Sequence, residues 1–171
     1  IVVSTPLQNA FNRYKLPEPV VVPNIIEQQA LEADKEKIIL TVGDLVDQTK
    51  NISGIITAFN HWKKEHDNNY RLHIIGGGPD ENWLRDKAEK SAFSEEIVFH
   101  GRLKNEAVLE WMQKASIYVC NSNFETFGVT VGEALAAGCP VICTRCQGPE
   151  QFINQDTGIL IPKNDEDALL K

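Results

Sequence analysis

The chain has 171 residues, 42% of them hydrophobic and 24% charged, and carries a formal net charge of −7. That length allows a sizeable core in one domain, and the composition excludes a disordered chain. The acidic balance argues against nonspecific binding to nucleic acid or anionic membranes, and no apolar run approaches the ~20 residues that span a bilayer.

No signal peptide is legible. The first residue is Ile rather than Met, and the last residues read as the start of a helix. The sequence is therefore expected to be a piece of a longer protein. Residues 1–4 read as a strand, 5–14 as a short helix and 20–22 as another strand, with Pro17 and Pro19 breaking the chain between them. Residues 25–36 read as a polar connector. From Lys37 onward, compact apolar runs alternate with helical periods. Strands are predicted at 38–42, 70–75, 97–99, 117–120, 140–143 and 158–161. The first helix of this series carries Ile52, Ile55, Ile56, Phe59 and Trp62 on one face. The next spans 80–90, with Trp83 and Leu84 turned inward. A third runs from Asn105, its predicted cap, to about Lys114, with Val108, Leu109 and Met112 as its apolar face. A fourth occupies 129–137, a short one 148–153, and the last starts at 166–170. This alternation predicts a Rossmann-like α/β fold, with a parallel sheet of about six strands and helices on both faces. Ligands of such folds bind at the carboxyl ends of the strands.

The stretch Ser122–Pro140, SNFETFGVTVGEALAAGCP, follows the fourth strand and carries the strongest chemical signal. Val129, Gly132, Glu133 and Ala136 share a helical face at i, i+3, i+4 and i+7. Gly138 and Pro140 mark the helix end. Gly132, Ala134, Ala136 and Ala137 are small enough for close packing on a sheet. If the helix starts near Gly128, its free amides and dipole attract a phosphate. Glu125 stands just before that anion site, and Glu133 stands about 7–8 Å further along the axis at about 1.5 Å per residue. A sugar nucleotide presents sugar, diphosphate, ribose and base in that order. Glu125 suits the sugar hydroxyls, and Glu133 suits the ribose diol, because an ionised carboxylate only accepts hydrogen bonds.

Glu125-x-Phe127-Gly128, the second carboxylate Glu133, the Ala-Ala-Gly end and the Pro-Val-Ile strand occur together. This resembles the Glu-x7-Glu signature of the retaining glycosyltransferases of family 4, which have the GT-B fold. The resemblance covers nearly all of residues 25–171 and implies the donor-binding half of a two-domain enzyme. VVVPN, ending at Asn24, resembles the hinge of that family, which makes residues 1–24 the end of the acceptor-binding N-terminal domain and the hinge. The implied reaction moves a sugar from a nucleoside diphosphate to an acceptor hydroxyl with retention, in polysaccharide or glycolipid biosynthesis. The nucleotide sugar is substrate, and no cofactor or metal is implied. The implied setting is cytoplasmic, at the inner face of the membrane, with peripheral association of the whole protein. The fragment alone is expected to transfer little sugar, because the acceptor side lies in the other domain.

The resemblance also assigns residues one by one. Glu125 and Lys50 become the catalytic candidates, the first orienting the donor sugar and the second facing the diphosphate. Glu133 becomes the ribose ligand, with the backbone of Phe127, Gly128 and Val129 on phosphate and sugar. The family has Gly-Arg-Leu after the first strand, where this chain has Gly43-Asp44-Leu45. Asp44 places a carboxylate where a cation is expected, and repulsion would oppose a nearby diphosphate. Either Asp44 points away, or Arg145 or another domain compensates, or donor binding is weakened. The Gly76-Gly77-Gly78-Pro79 turn corresponds to a Gly-x-Gly loop beside the nucleotide, making Gly76 and Gly78 candidates. A purely structural turn explains the three glycines equally well. Phe99-His100-Gly101-Arg102-Leu103 resembles the segment that meets the base, so Arg102 and Leu103 join the donor candidates, while His100 reads as structural. At 147–151 the family loop has Glu where this chain has Gln151, next to Glu150.

Of the four cysteines, Cys120, Cys139, Cys143 and Cys146, the first three sit in or beside apolar runs and read as small buried residues. Cys143-x-x-Cys146 is a redox candidate, and zinc would need two more ligands nearby. Glycoside hydrolysis fits the carboxylate pair poorly, since a loop Glu and a helix Glu flank an anion site rather than one bond. The rival reading is a non-catalytic nucleotide-binding or scaffold module of the same fold, favoured by Asp44.

Overall fold

The computed structural model describes residues 1–14, 17–27, 33–66 and 69–170. Residues 28–32 of the expected connector, and Lys171, lie outside the described residues. The strands are β1 (Glu36–Val42), β2 (Arg71–Ile75), β3 (Ile97–Gly101), β4 (Ala115–Cys120), β5 (Val141–Thr144) and β6 (Gly158–Ile161). The helices are α1 (Thr5–Asn12), α2 (Asp47–Lys50), α3 (Ile52–Glu65), α4 (Glu81–Glu89), α5 (Asn105–Lys114), α6 (Val129–Ala136) and α7 (Glu166–Leu170).

All six strands pair in parallel, in the order β3-β2-β1-β4-β5-β6. The first three strands wind one way from β1 and the last three the other way from β4. The loops leaving β1 and β4 therefore part to opposite faces and open a crevice at the carboxyl edge. Alternate residues feed two cores. Leu40, Tyr118 and Cys120 face α5 and α6 through Val108, Met112, Val131 and Ala134. Leu72, Ile74 and Val119 face α3 and α4 through Ile52, Ile55, Ile56, Phe59 and Leu84, with Leu169 of α7 beside them. A strand covered on both sides is apolar at nearly every position, which is why these runs read as near-continuous rather than alternating, with Thr41 and His73 as buried polar exceptions.

Several expectations are corrected. The 1–4 and 20–22 runs make one isolated parallel bridge, Val2 to Val21, not strands of the sheet. Residues 148–153 form only a 3-10 turn, Gly148–Gln151. Asn105 is the first residue of α5, not its cap. The cap position is Lys104, which supplies no side-chain hydrogen bond. Trp83 is 52% exposed, while Leu84 beside it is fully buried. α6 buries Val131 and Ala134, and the face bearing Val129 turns away from the core, leaving Val129 39% exposed. On that outer side Ile26 approaches Gly132 so closely that a Cβ there would stand 3.0 Å from its Cγ1.

Candidate functional site

The β1 loop begins at Gly43, and Gly76 lies against it. Gly76 has φ +141°, and a Cβ there would meet the Gly43 carbonyl oxygen at 1.8 Å. A Cβ on Gly78 would meet the Leu45 carbonyl at 2.5 Å. The triple-glycine turn is therefore required by backbone packing of the β2 loop on the β1 loop, whatever else it binds. Past the β1 loop, the short helix α2 carries Lys50. Asn51 follows in the left-handed conformation, φ 48° and ψ 47°, and its side chain accepts the Gly54 N–H at 3.3 Å to cap α3. Asparagine is among the few residues besides glycine that adopt this conformation readily.

Glu125 and Lys50 meet. Lys50 Nζ lies 2.6 Å from Glu125 Oε1, with side-chain exposures of 23% and 14%. Ser122 Oγ donates to the same oxygen at 2.8 Å. The Glu125 backbone is held too. Its N–H donates to the Cys146 carbonyl at 2.9 Å, and its carbonyl accepts from Gly148 N–H at 3.0 Å. Between those two residues Gln147 occupies φ +85°, ψ −80°, a costly backbone for a side-chain-bearing residue. Gly148 is needed because a Cβ there would strike the Phe127 backbone at 2.6 Å. The β4 loop is pinned to α2 as well. Asn123 N–H donates to the Thr49 carbonyl at 2.7 Å and its Nδ2 to the Gln48 carbonyl at 2.8 Å.

α6 starts where the sequence puts it. Gly128 is its N-cap, with φ 84° and ψ 54°, and Pro149 would collide with a Cβ there at 2.5 Å. The amides of Val129 and Thr130 have no carbonyl one turn back to accept them. Glu133 lies further along. Burial pushes its carboxyl above the ordinary range, and a hydrogen bond with the Asn105 side chain pulls the other way. Glu133 thus sits beside the start of α5, directly after the Arg102-Leu103 segment.

Asp44 and Arg102 form the second ion pair of the cleft. Arg102 Nη2 donates to Asp44 Oδ1 and to the Gly77 carbonyl, both at 2.8 Å. The pair is well exposed, 69% and 62%. Asp44 is thus neither turned away nor paired with Arg145, which lies 3.7 Å from Glu150 instead. Leu103 is 36% exposed. His100 packs in a cluster of three rings with His73 and Trp111, at centroid distances of 5.0, 4.7 and 4.6 Å, and its Nε2 shares a hydrogen bond of 2.9 Å with His73 Nδ1.

The histidine pair predicts an acid weakness. Burial first, then the His100 and Arg71 charges, hold His73 down at about 4, and burial lowers His100. An unfolded histidine titrates near ~6.5. Between those values the unfolded chain binds the extra proton, so stability present above ~6.5 is lost as pH falls toward about 4. Urea midpoints measured across that window should drop, and His73→Gln should flatten the drop. An unaltered acid limb in that variant would assign the loss to other groups.

Glu125 and Lys50 thus meet, Phe127, Gly128 and Val129 follow Glu125 into the start of α6, Glu133 stands further along it beside Asn105, and Gly43, Asp44, Gly76, Gly78, Arg102 and Leu103 lie on the β1, β2 and β3 loops. Sequence reasoning missed the Ser122 donor, the strained Gln147 and the asparagine ties. Among these, only Asn51 carried a signal, as a residue able to stand in for glycine.

The family model for glycosyl transferases group 1 matches residues 23–171. An uncharacterized glycosyltransferase of Methanocaldococcus jannaschii, MJ1607, is 33% identical over 133 residues, covering 77% of this chain and 33% of that protein. The O-antigen chain mannosyltransferase C of Escherichia coli is 30% identical over 166 residues, covering 89% of this chain and 43% of that protein. The chain therefore spans less than half the length of these relatives. The fold superposes on S. aureus TarM, solved with UDP, at a TM-score of 0.88 and 21% identity, over 99% of this chain and 35% of that one. The six-stranded parallel α/β fold matches that of GT-B glycosyltransferase structures. With nearly all of the described crevice inside the matched span, the chain belongs to the group 1 glycosyl transferases.

Proposed function

We propose that residues 25–171 bind the nucleoside diphosphate sugar of a retaining family 4 transfer reaction. Residues 1–24 belong, in this reading, to the hinge and the acceptor-binding domain. The observation that carries it is the Lys50–Glu125 pair, fixed at 2.6 Å beside the amide-rich start of α6. Lys50 and those amides stabilise charge on the leaving diphosphate, the kind of preorganised electrostatics that lowers a transfer barrier most. Glu125 accepts from sugar hydroxyls. Glu133 holds the ribose, a reading supported by its contact with Asn105, which follows Arg102 and Leu103 in the chain. We assign the transfer no cofactor beyond the nucleotide sugar. The acceptor is a hydroxyl of a growing polysaccharide or glycolipid at the cytoplasmic face of a membrane. Among the described residues, no helix is long and apolar enough to cross one.

Calorimetric titration with UDP, GDP and ADP tests the reading. One of the three should bind saturably, and Glu133→Ala should weaken it by about 1–3 kcal/mol, the worth of hydrogen bonds to a charged group. An unchanged dissociation constant in that variant would remove the ribose assignment. One feature favours the rival, a non-catalytic module of the same fold. Both cleft cations, Lys50 and Arg102, are already neutralised by carboxylates, so a diphosphate must displace or share them. Absence of binding by all three nucleotides would support that rival.

A further inference from the structure

Three of the four cysteines converge beneath the Glu125 loop. Cys120 closes β4, Cys143 is its register partner on β5, and Cys146 follows β5. Their Sγ atoms all lie within 4.8 Å of one another, with Cys143 and Cys146 at 3.9 Å. Cys143 and Cys146 are fully buried and Cys120 is 6% exposed. Burial of small apolar residues explains Cys139, whose thiol lies apart and donates to the Ala115 carbonyl at 3.4 Å. It does not explain why three sulfurs from two strands and a loop meet at one point.

The Cys143–Cys146 spacing of 3.9 Å is that of a coordination shell, and Cys120 Sγ lies within 4.8 Å of both. A tetrahedral ion with metal–sulfur bonds of about 2.3 Å sets its sulfurs about 3.8 Å apart, and a sulfur and an oxygen ligand about 3.5 Å apart. Ser122 Oγ stands 3.5 Å from Cys120 Sγ. We propose that Cys120, Cys143 and Cys146 bind one thiophilic divalent cation, of the zinc and cadmium class, with Ser122 Oγ as the fourth donor. Thiolates select soft ions over magnesium or calcium. Each thiol gives its proton to solvent as it ligates. A divalent ion then leaves one net negative charge in the buried site, where a monovalent ion leaves two, and burying the smaller charge costs less. Cys120 borders the same small cavity as Lys50, Ser122 and Glu125, so the ion enters from the cleft.

The site is coupled to the cleft through two contacts. Ser122 Oγ donates to Glu125 Oε1 at 2.8 Å, and the Cys146 carbonyl accepts the Glu125 N–H at 2.9 Å. An ion gripping Ser122 and Cys146 fixes Glu125 from both its side chain and its backbone. The ion takes no part in transfer. It holds the carboxylate that does.

The test uses the reduced chain, kept free of oxygen and titrated with Cd²⁺. Thiolate-to-cadmium absorption should rise and saturate at one equivalent, and Zn²⁺ should displace it. Cys146→Ser should weaken uptake by well over an order of magnitude, and Cys139→Ser, equally buried, should leave it unchanged. Circular dichroism checks that each variant is folded. Should Cys146→Ser fail to fold, the wild-type absorption still decides, because its intensity reports the number of thiolates bound. No saturable uptake by the wild type overturns the proposal, as does uptake that survives in folded Cys146→Ser. None of these readouts involves a nucleotide, so they stand or fall separately from the donor site.

Discussion

Gly76→Ala should destabilise the chain by about 4 kcal/mol or more, a loss at the exceptional end of single substitutions. The added Cβ would lie 1.8 Å from the Gly43 carbonyl oxygen and 2.9 Å from its carbon. Neither is the end of a flexible side chain. Relief requires moving the backbone, which strains the Gly43 N–H bond to the Ile75 carbonyl and the Gly76 N–H bond to the Gly101 carbonyl, 3.0 and 2.9 Å long. Gly101→Ala is the matched control. It also has a positive φ, +69°, but a Cβ there meets nothing within 4 Å, so only the left-handed backbone is penalised, by about 1–2 kcal/mol. Urea unfolding of both variants checks the contrast. Equal losses at the two positions would show that the β1 and β2 loops can separate at little cost.

Lys50→Met should be the most damaging change to the cleft. It leaves the Glu125 carboxylate, only 14% exposed, with Ser122 as its remaining side-chain donor. An unpaired, largely buried charge is expensive, and partial solvent access tempers the cost to about 1–3 kcal/mol of stability. If Lys50 faces the diphosphate as proposed, nucleoside diphosphate binding should fall more than tenfold with the loss of that cation. Adding Glu125→Gln removes the orphaned charge, so the double variant should regain stability without regaining nucleotide affinity. Recovery of both together would mean that Lys50 serves only to neutralise Glu125.

The sheet was legible because a strand covered on both faces is apolar nearly throughout, and all such runs but the fifth are followed by an α-helix. The start of α6 was legible for a different reason. Gly128 and the carboxylates around it form a local pattern, complete within a dozen residues. What escaped the sequence was either short or distant. α2 has four residues, too few to show a period. Trp83 satisfies the apolar pattern of α4, yet Leu84 takes the buried position, and periodicity alone does not separate neighbours on the rim of a helix face. Asp44 looked like an uncompensated carboxylate because its partner, Arg102, lies 58 positions away. Cys143-x-x-Cys146 showed a pair, but Cys120 joins it only through the pairing of β4 with β5. The same distance hid the Lys50–Glu125 pair as a contact, although each residue was singled out separately.

The ties between residues 48–51 and 121–125 have an evolutionary consequence. The Thr49 and Gln48 carbonyls accept from Asn123, the Asn51 carbonyl accepts from Asn121, and Lys50 donates to Glu125. The two segments are encoded some seventy positions apart but fit each other as lock and key. Recombination between relatives that exchanges one without the other would deliver a mismatched pair, whereas a crossover bringing in both would keep it intact. Residues 48, 49 and 51 accept through backbone carbonyls, whatever their side chains, so the chemical coupling of drift falls on positions 50 and 125, where one charge answers the other.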